Sequence, residues 1–150
     1  MRDALRERAL RLLARREYTR QELSHKITLF AESAEQLEAL LDDLTNRHLL
    51  SDQRYAEARR NSRAPHLGDA RLAYELRSKG VAAELVCATL AAGEDELTRA
   101  RRVWQRRFGS LADVGDAAGQ ARQIRFLAGR GFSGETIRRL LSSSATLEDD

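Results

Sequence analysis

Apolar residues recur at three- and four-residue spacing along most of the chain, the pattern of helices that bury one stripe. Over residues 4–16, Leu5, Ala9, Leu12 and Leu13 share a stripe, Arg6, Glu7, Arg8, Arg11 and Arg15 lie elsewhere, and Asp3 is placed to cap the start. Thr19 with Glu22 forms a capping box, which predicts a second helix carrying Leu23, Ile27 and Phe30. Ser33 with Gln36 repeats the signal, and Leu37, Leu40, Leu41 and Leu44 line a third helix ending near Arg47.

The pattern then restarts. Ser51-Asp52 caps a helix bearing Tyr55, Ala56 and Arg59, which stops before Pro65-His66-Leu67-Gly68 because proline disfavours helical geometry at Ala64. Asp69 opens the next helix, with Leu72, Ala73 and Leu76 on one face and Gly80 just past its end, where a left-handed residue closes a helix. A further helix spans about Ala83 to Ala92, with Leu85, Val86 and Leu90 inward. Glu94-Asp95-Glu96 then place negative charge at a helix N-terminus, which the helix dipole favours, followed by Leu97, Ala100, Trp104 and Phe108. After an irregular stretch from Gly109 to Gly115, Asp116 caps a helix to about Gly129 with Ala121, Ile124 and Leu127 inward. Ser133 caps a ninth helix carrying Ile137, Leu140 and Leu141, beyond which Ser142-Ser143-Ser144 and the acidic Glu148-Asp149-Asp150 read as frayed.

These segments repeat. Leu76, Gly80, Val81, Glu84, Val86 and Leu90 align with Leu127, Gly131, Phe132, Glu135, Ile137 and Leu141 at one offset of 51 residues. Glu22-Leu23 and Lys26 align with Glu75-Leu76 and Lys79 at an offset of 53. The expectation is an all-α fold of three tandem three-helix repeats, residues 1–50, 51–93 and 94–150, the last with a short acidic tail. From helix diameter and rise, each repeat is about 20–25 Å across, so three in line make an elongated, curved rod of about 60–75 Å.

Composition agrees with that class. Alanine and leucine number 23 each against 7 valines and isoleucines together, and 9 Gly with 1 Pro give little punctuation for many short strands. At 150 residues a core forms without disulfide or metal, and one cysteine closes no internal bridge. No apolar run approaches a membrane span, and Met1-Arg2-Asp3 leads into an amphipathic pattern rather than a signal peptide, so a cytoplasmic monomer is expected. Of 26 basic residues all but Lys26 and Lys79 are arginine, a bias toward anionic partners. The net charge of +3 conceals a gradient: 9 basic and 9 acidic residues over 1–50, 7 and 5 over 51–93, and 10 and 6 over 94–147.

Most chemistry is excluded. Gly129-Arg130-Gly131-Phe132-Ser133-Gly134 has the spacing of a dinucleotide fingerprint, but it follows a helix rather than a strand and reads as a helix end, a corner and a cap. His25, His48 and His66 form no metal-ligand pair, Cys87 beside Val86 reads as a buried, inert thiol, and adjacent Asp42-Asp43 diverge on a helix. No catalytic, cofactor or metal site is assigned. Arg99, Arg102 and Arg106, flanked by Arg101 and Arg107, share a stripe opposite Trp104 and Phe108, which is either a solvated face or an anion-binding face. Arg71, Tyr74 and Arg77 combine phosphate donors with a ring that is either partial core or a base platform. Trp104 reads as core.

The chain resembles the RecX family, regulators of the RecA recombinase, from Ala9 to Leu141. The resemblance rests on Tyr18-Thr19-Arg20-Gln21-Glu22-Leu23, Leu50-Ser51-Asp52-Gln53-Arg54-Tyr55-Ala56, the run Gly68 to Val81, and Arg125-Phe126-Leu127-Ala128-Gly129-Arg130-Gly131-Phe132-Ser133. It implies three tandem three-helix repeats, no enzymatic activity and no cofactor. It implies binding along the RecA–DNA filament, inhibition of recombinase, ATPase and coprotease activity, and tempering of recombinational repair and the SOS response. Many members bind DNA, so single- or double-stranded DNA is an expected partner, and a stand-alone DNA-binding module is the alternative. Candidate contacts to RecA or DNA are Arg71, Tyr74, Arg77, Lys79, Arg99, Arg102, Arg106, Arg125 and Arg130. Relative to longer relatives the chain starts almost at its first helix, which leaves out contacts from an N-terminal extension.

Overall fold

The computed structural model describes residues 3–109 and 116–148, with side chains through Ser143. Among these residues there are nine α-helices and no strand: α1 (Ala4–Arg15), α2 (Arg20–Ile27), α3 (Ala34–Asn46), α4 (Asp52–Arg63), α5 (Asp69–Ser78), α6 (Ala83–Ala91), α7 (Glu96–Phe108), α8 (Ala117–Gly129) and α9 (Gly134–Glu148). Short 3-10 turns at Thr28–Phe30 and Ala64–His66 follow α2 and α4. The expected irregular stretch after Gly109 and the last two acidic residues lie outside the described part.

The helix starts follow local chemistry. Asp3, Ser33, Ser51, Asp95 and Asp116 each accept a backbone N–H from the first turn of their helix, and Thr19 and Glu22 form the reciprocal capping box. Gly80 and Gly131 follow α5 and α8 at φ of 91° and 92°, the left-handed geometry that glycine adopts without a Cβ clash.

Each set of three helices closes its own apolar core. Leu5, Ala9, Leu23, Ile27, Leu37, Leu41, Leu44 and Leu50 fill the first group, and Tyr55, Ala56, Leu76, Val81 and Val86 fill the second. Ala100, Leu127, Phe132, Ile137 and Leu140 fill the third. A smaller cluster of Ala64, Leu67 and Leu72 lies at the foot of α4 and α5, against Leu90.

The groups are joined by one arrangement used twice, the start of one group's second helix meeting the end of the next group's second helix. At the first joint the Thr19 hydroxyl donates to the Lys79 carbonyl (2.6 Å), and the Arg20 N–H donates to Asp52 at the start of α4 (2.8 Å). At the second, the Gly68 N–H donates to the Arg130 carbonyl (2.8 Å), and the Asp69 N–H donates to Glu96 at the start of α7 (2.7 Å).

Several expectations are corrected. Helix α8 is rotated from the expected stripe: Gly119, Gln123 and Leu127 are buried, whereas Ala121 is exposed and Ile124 is 45% exposed. The polar Gln123 is accommodated because its side-chain carbonyl accepts the Trp104 indole N–H at 2.8 Å. Helix α9 continues through the three serines to Glu148, and the Ser143 hydroxyl donates back to the Arg139 carbonyl rather than breaking the turn. Cys87 is exposed, because Val86 and Thr89 occupy the buried side of the short α6. Phe30 lies beyond α2 and is half exposed, with the Arg8 guanidinium 3.6 Å above its ring. Tyr74 is not partial core; it is 65% exposed.

A candidate anion-binding groove at the second joint

The turn Ala64–His66, the outer face of α7 and the end of α8 surround a groove of about 220 Å³. Its walls carry Arg102, Arg106, Arg107, Arg130 and His66, and its apolar lining is Pro65, Val103 and Phe126. Helical spacing explains the convergence. Arg102 and Arg106 are one turn apart on α7, and Phe126 and Arg130 are one turn apart at the end of α8. Phe126 holds two of the cations: the Arg130 guanidinium lies 5.0 Å and that of Arg107 5.6 Å from its ring centre, and its ring meets Phe108 edge-on at 5.4 Å. Arg102 is paired with Glu94 at 2.7 Å, which raises the arginine's pKa and lowers the glutamate's through the hydrogen bond between them. Among the described residues no carboxylate lies within ion-pairing distance of Arg106, Arg107 or Arg130.

Arg99 does not belong to this face. It is 2% exposed and spans the second joint, donating to the carbonyls of Leu67 (2.6 Å), Glu94 (3.1 Å) and Ala64 (3.4 Å) and pairing with Asp69. The stripe expected to run from Arg99 through Arg102 to Arg106 therefore splits. Its first member is a structural cation that satisfies the ends of the Ala64–Leu67 turn, and the other two face the groove.

Beside Arg99, Glu96 ties three elements together. Its carboxylate accepts the N–H of Asp69 and the N–H of Ser133 (3.2 Å), hence the starts of both α5 and α9. Burial acts to raise the Glu96 pKa, but hydrogen bonds from Thr136, Asp69 and Ser133 outweigh it and hold the carboxyl below its usual range.

The remaining candidates are dispersed. Arg71, Tyr74, Arg77 and Lys79 are exposed along α5 and its end, and Arg125 is exposed on α8. Arg71 lies 3.9 Å from Glu75, which Arg63 (2.8 Å) and Arg59 (3.7 Å) also approach; the Arg63 hydrogen bond lowers the Glu75 pKa. Lys79 lies 3.8 Å from Glu22 across the first joint. Of the nine candidates, the groove unites Arg102, Arg106 and Arg130. His66, Phe126 and Pro65 complete it without having been singled out as contacts. The one-turn spacing of Phe126 and Arg130 is a usable sequence signal, whereas the approach of His66 depends on the joint. Among the described residues no group of His, Cys, Asp or Glu is arranged to hold a metal ion, and no helix is long and apolar enough to cross a membrane.

The fold and the groove define a helical-repeat protein with a cationic groove between two of its three-helix groups. Residues 51–90 match the family model described as RecX, second three-helix domain, and residues 94–141 match RecX, third three-helix domain. The chain belongs to the RecX family. The Regulatory protein RecX of Chromobacterium violaceum is 44% identical over 147 residues, covering 98% of this chain and 93% of the relative. That of Herminiimonas arsenicoxydans is 40% identical over 147 residues, covering 97% and 96%. The crystal structure of RecX from Lactobacillus salivarius superposes with a TM-score of 0.83 over 93% of each chain at 17% identity, a likeness of fold.

Proposed function

We propose that this protein regulates RecA by lying along the RecA–DNA filament and restraining its recombinase, ATPase and coprotease activities, so that recombinational repair and the SOS response are tempered. The observation that carries this reading is near-full-length similarity to proteins named Regulatory protein RecX. The mode of action is binding rather than catalysis: a cytoplasmic monomer bridges neighbouring filament subunits and turns arginines toward phosphate. Three helical groups in tandem, residues 1–50, 51–93 and 94–150, supply a surface longer than one compact domain of the same mass. The test adds the protein to RecA assembled on single-stranded DNA and follows ATP hydrolysis and strand exchange. Both rates fall as the protein approaches stoichiometry with RecA; unchanged rates overturn the reading.

A second reading is supported by the groove, whose Arg106, Arg107 and Arg130 lack carboxylate partners among the described residues. On this reading the protein is a stand-alone DNA-binding module working through arginine–phosphate contacts. The salt dependence of DNA binding separates the two. Each phosphate contacted on single-stranded DNA contributes about −0.7 to the slope of log affinity against log salt, so Arg102→Ala with Arg106→Ala flattens it if direct contact dominates. Loss of RecA inhibition with DNA binding intact favours the filament reading.

A further inference from the structure

The groove is shared between two helical groups, and one of its residues, Arg130, takes part in the bonds that join those groups. His66 and Pro65 belong to the turn after α4, whereas Arg102, Arg106, Arg107, Phe126 and Arg130 belong to α7 and to α8 with its cap. The Arg130 carbonyl accepts the Gly68 N–H at 2.8 Å, and the neighbouring Gly131 carbonyl accepts the Ala70 N–H at 3.2 Å. One residue thus presents its side chain to the groove and its backbone to the joint. Arg106, Arg107 and Arg130 around one small volume repel one another, modestly because all three are exposed to water, whereas Arg102 is offset by Glu94. That repulsion acts within the third group, between α7 and the end of α8, and an anion among the cations reverses its sign; across the joint, the group that faces the same anion is His66.

We infer that the groove is a phosphate-binding site and that a phosphate held between His66, Arg106 and Arg130 fastens the second joint. Arginine suits this role because its planar fork donates paired N–H groups to phosphate oxygens, and the Phe126 ring, with Arg107 and Arg130 beside it, gathers two of these donors before the ligand arrives. The phosphate has two sources, a nucleic-acid backbone or a free polyphosphate, and both engage the same donors. A filled groove stiffens the second and third helical groups into one unit; an empty one leaves the joint to its internal bonds. The inference rests on the reading above that the groove's arginines meet phosphate and adds that this contact fastens the joint; it does not require regulation of RecA, and its test contains no RecA.

The experiment measures amide hydrogen exchange of the full chain by NMR, with inorganic pyrophosphate in one arm, a twelve-residue oligothymidylate in a second, and chloride at matched ionic strength in a third. The amides of Gly68 and Ala70 report the joint. Saturating phosphate slows their exchange about tenfold or more, a scale typical of a bound ligand suppressing local opening. Arg106→Ala with Arg130→Ala abolishes the protection, and Arg101→Ala, an exposed α7 arginine outside the groove, retains it. Circular dichroism checks that each variant keeps its helices. Protection by pyrophosphate assigns the site to small anions as well as polynucleotides, and protection by the oligonucleotide alone assigns it to a phosphate chain. The inference is overturned if neither ligand slows these two amides, if chloride slows them equally, or if a well-folded double variant retains the effect.

Discussion

The joint between the first and second helical groups and the joint between the second and third bring the same helical positions face to face and share one bond, a backbone N–H on a carboxylate (Arg20 on Asp52, Asp69 on Glu96), but the rest of each seal uses different atoms. At the first joint the bridging groups are side chains: the Thr19 hydroxyl on the Lys79 carbonyl, Arg54 on Glu17 at 2.9 Å, and Lys79 near Glu22. At the second, Gly68 and Ala70 donate backbone N–H groups directly to the carbonyls of Arg130 and Gly131, and the buried Arg99 fills the space behind them. A side-chain seal is adjustable, because the contacting atoms sit on rotatable bonds. A backbone seal adjusts less, and two of its four residues, Gly68 and Gly131, sit where a Cβ would strike the facing segment. Repetition of a fold therefore does not imply repetition of tolerance, and the less adjustable joint is the one beside the cationic groove.

Substitution of the joint glycines breaks this contrast most sharply. A Cβ on Gly68 overlaps the backbone of Gly131 and Phe132, which cannot rotate aside, so Gly68→Ala lowers stability by about 3–4 kcal/mol, in the upper range of overpacking effects. A Cβ on Gly80 meets Gln21 from its movable Oε1 back to its Cβ (2.6 Å), so part of the clash can rotate away, and with the left-handed φ Gly80→Ala costs about 2–3 kcal/mol. Urea denaturation of both variants checks the difference; equal losses break the comparison. Next in size, Arg99→Leu removes the guanidinium from the carbonyls of Leu67 and Glu94 and from the Asp69 carboxylate, for a loss of about 2–3 kcal/mol by the same measurement. Arg99→Leu should also raise amide exchange at Gly68 above that at Thr19.

Glu96→Gln comes third, at about 1–2 kcal/mol, since the amide keeps one acceptor oxygen for the two N–H donors. Its pH signature is directional. The folded carboxyl has a lowered pKa, so its stabilisation is complete above the usual glutamate value of 4.5 and disappears as pH falls through the folded value. Thermal melts of Glu96→Gln therefore depend less steeply on pH below about 4.5 than those of the parent. Smallest of all, Arg54→Ala removes a partly exposed ion pair at the adjustable joint and changes stability by less than about 1 kcal/mol, by the same urea titration.

Local patterning made the elements legible. The Thr19–Glu22 capping box, the caps at Asp3, Ser33, Ser51 and Asp116, and the left-handed Gly80 and Gly131 are written in a few adjacent residues, and each acts through bonds within one turn. The site was less legible. Arg99 and Arg106 are the same residue type on the same helix, yet one is 2% exposed and the other lines the groove, because only Arg99 reaches the carbonyls of a turn about thirty residues earlier. Periodicity likewise misplaced the inner face of α8 by choosing Ala121 and Ile124 over Gly119 and Gln123. Apolar spacing records hydrophobicity, whereas the fold selected a small residue for close approach and an amide for the Trp104 indole.

By itself the sequence determined an all-helical chain, the order of its helices and the equivalence of its later repeats, since capping and burial of a stripe are settled over one to four turns. The tertiary structure alone decided which arginines are free. Whether a guanidinium faces solvent, a carboxylate or a stranded carbonyl depends on residues brought near it by the joints, and at the second joint the approach is set by contact between Gly68 and Gly131, some sixty residues apart.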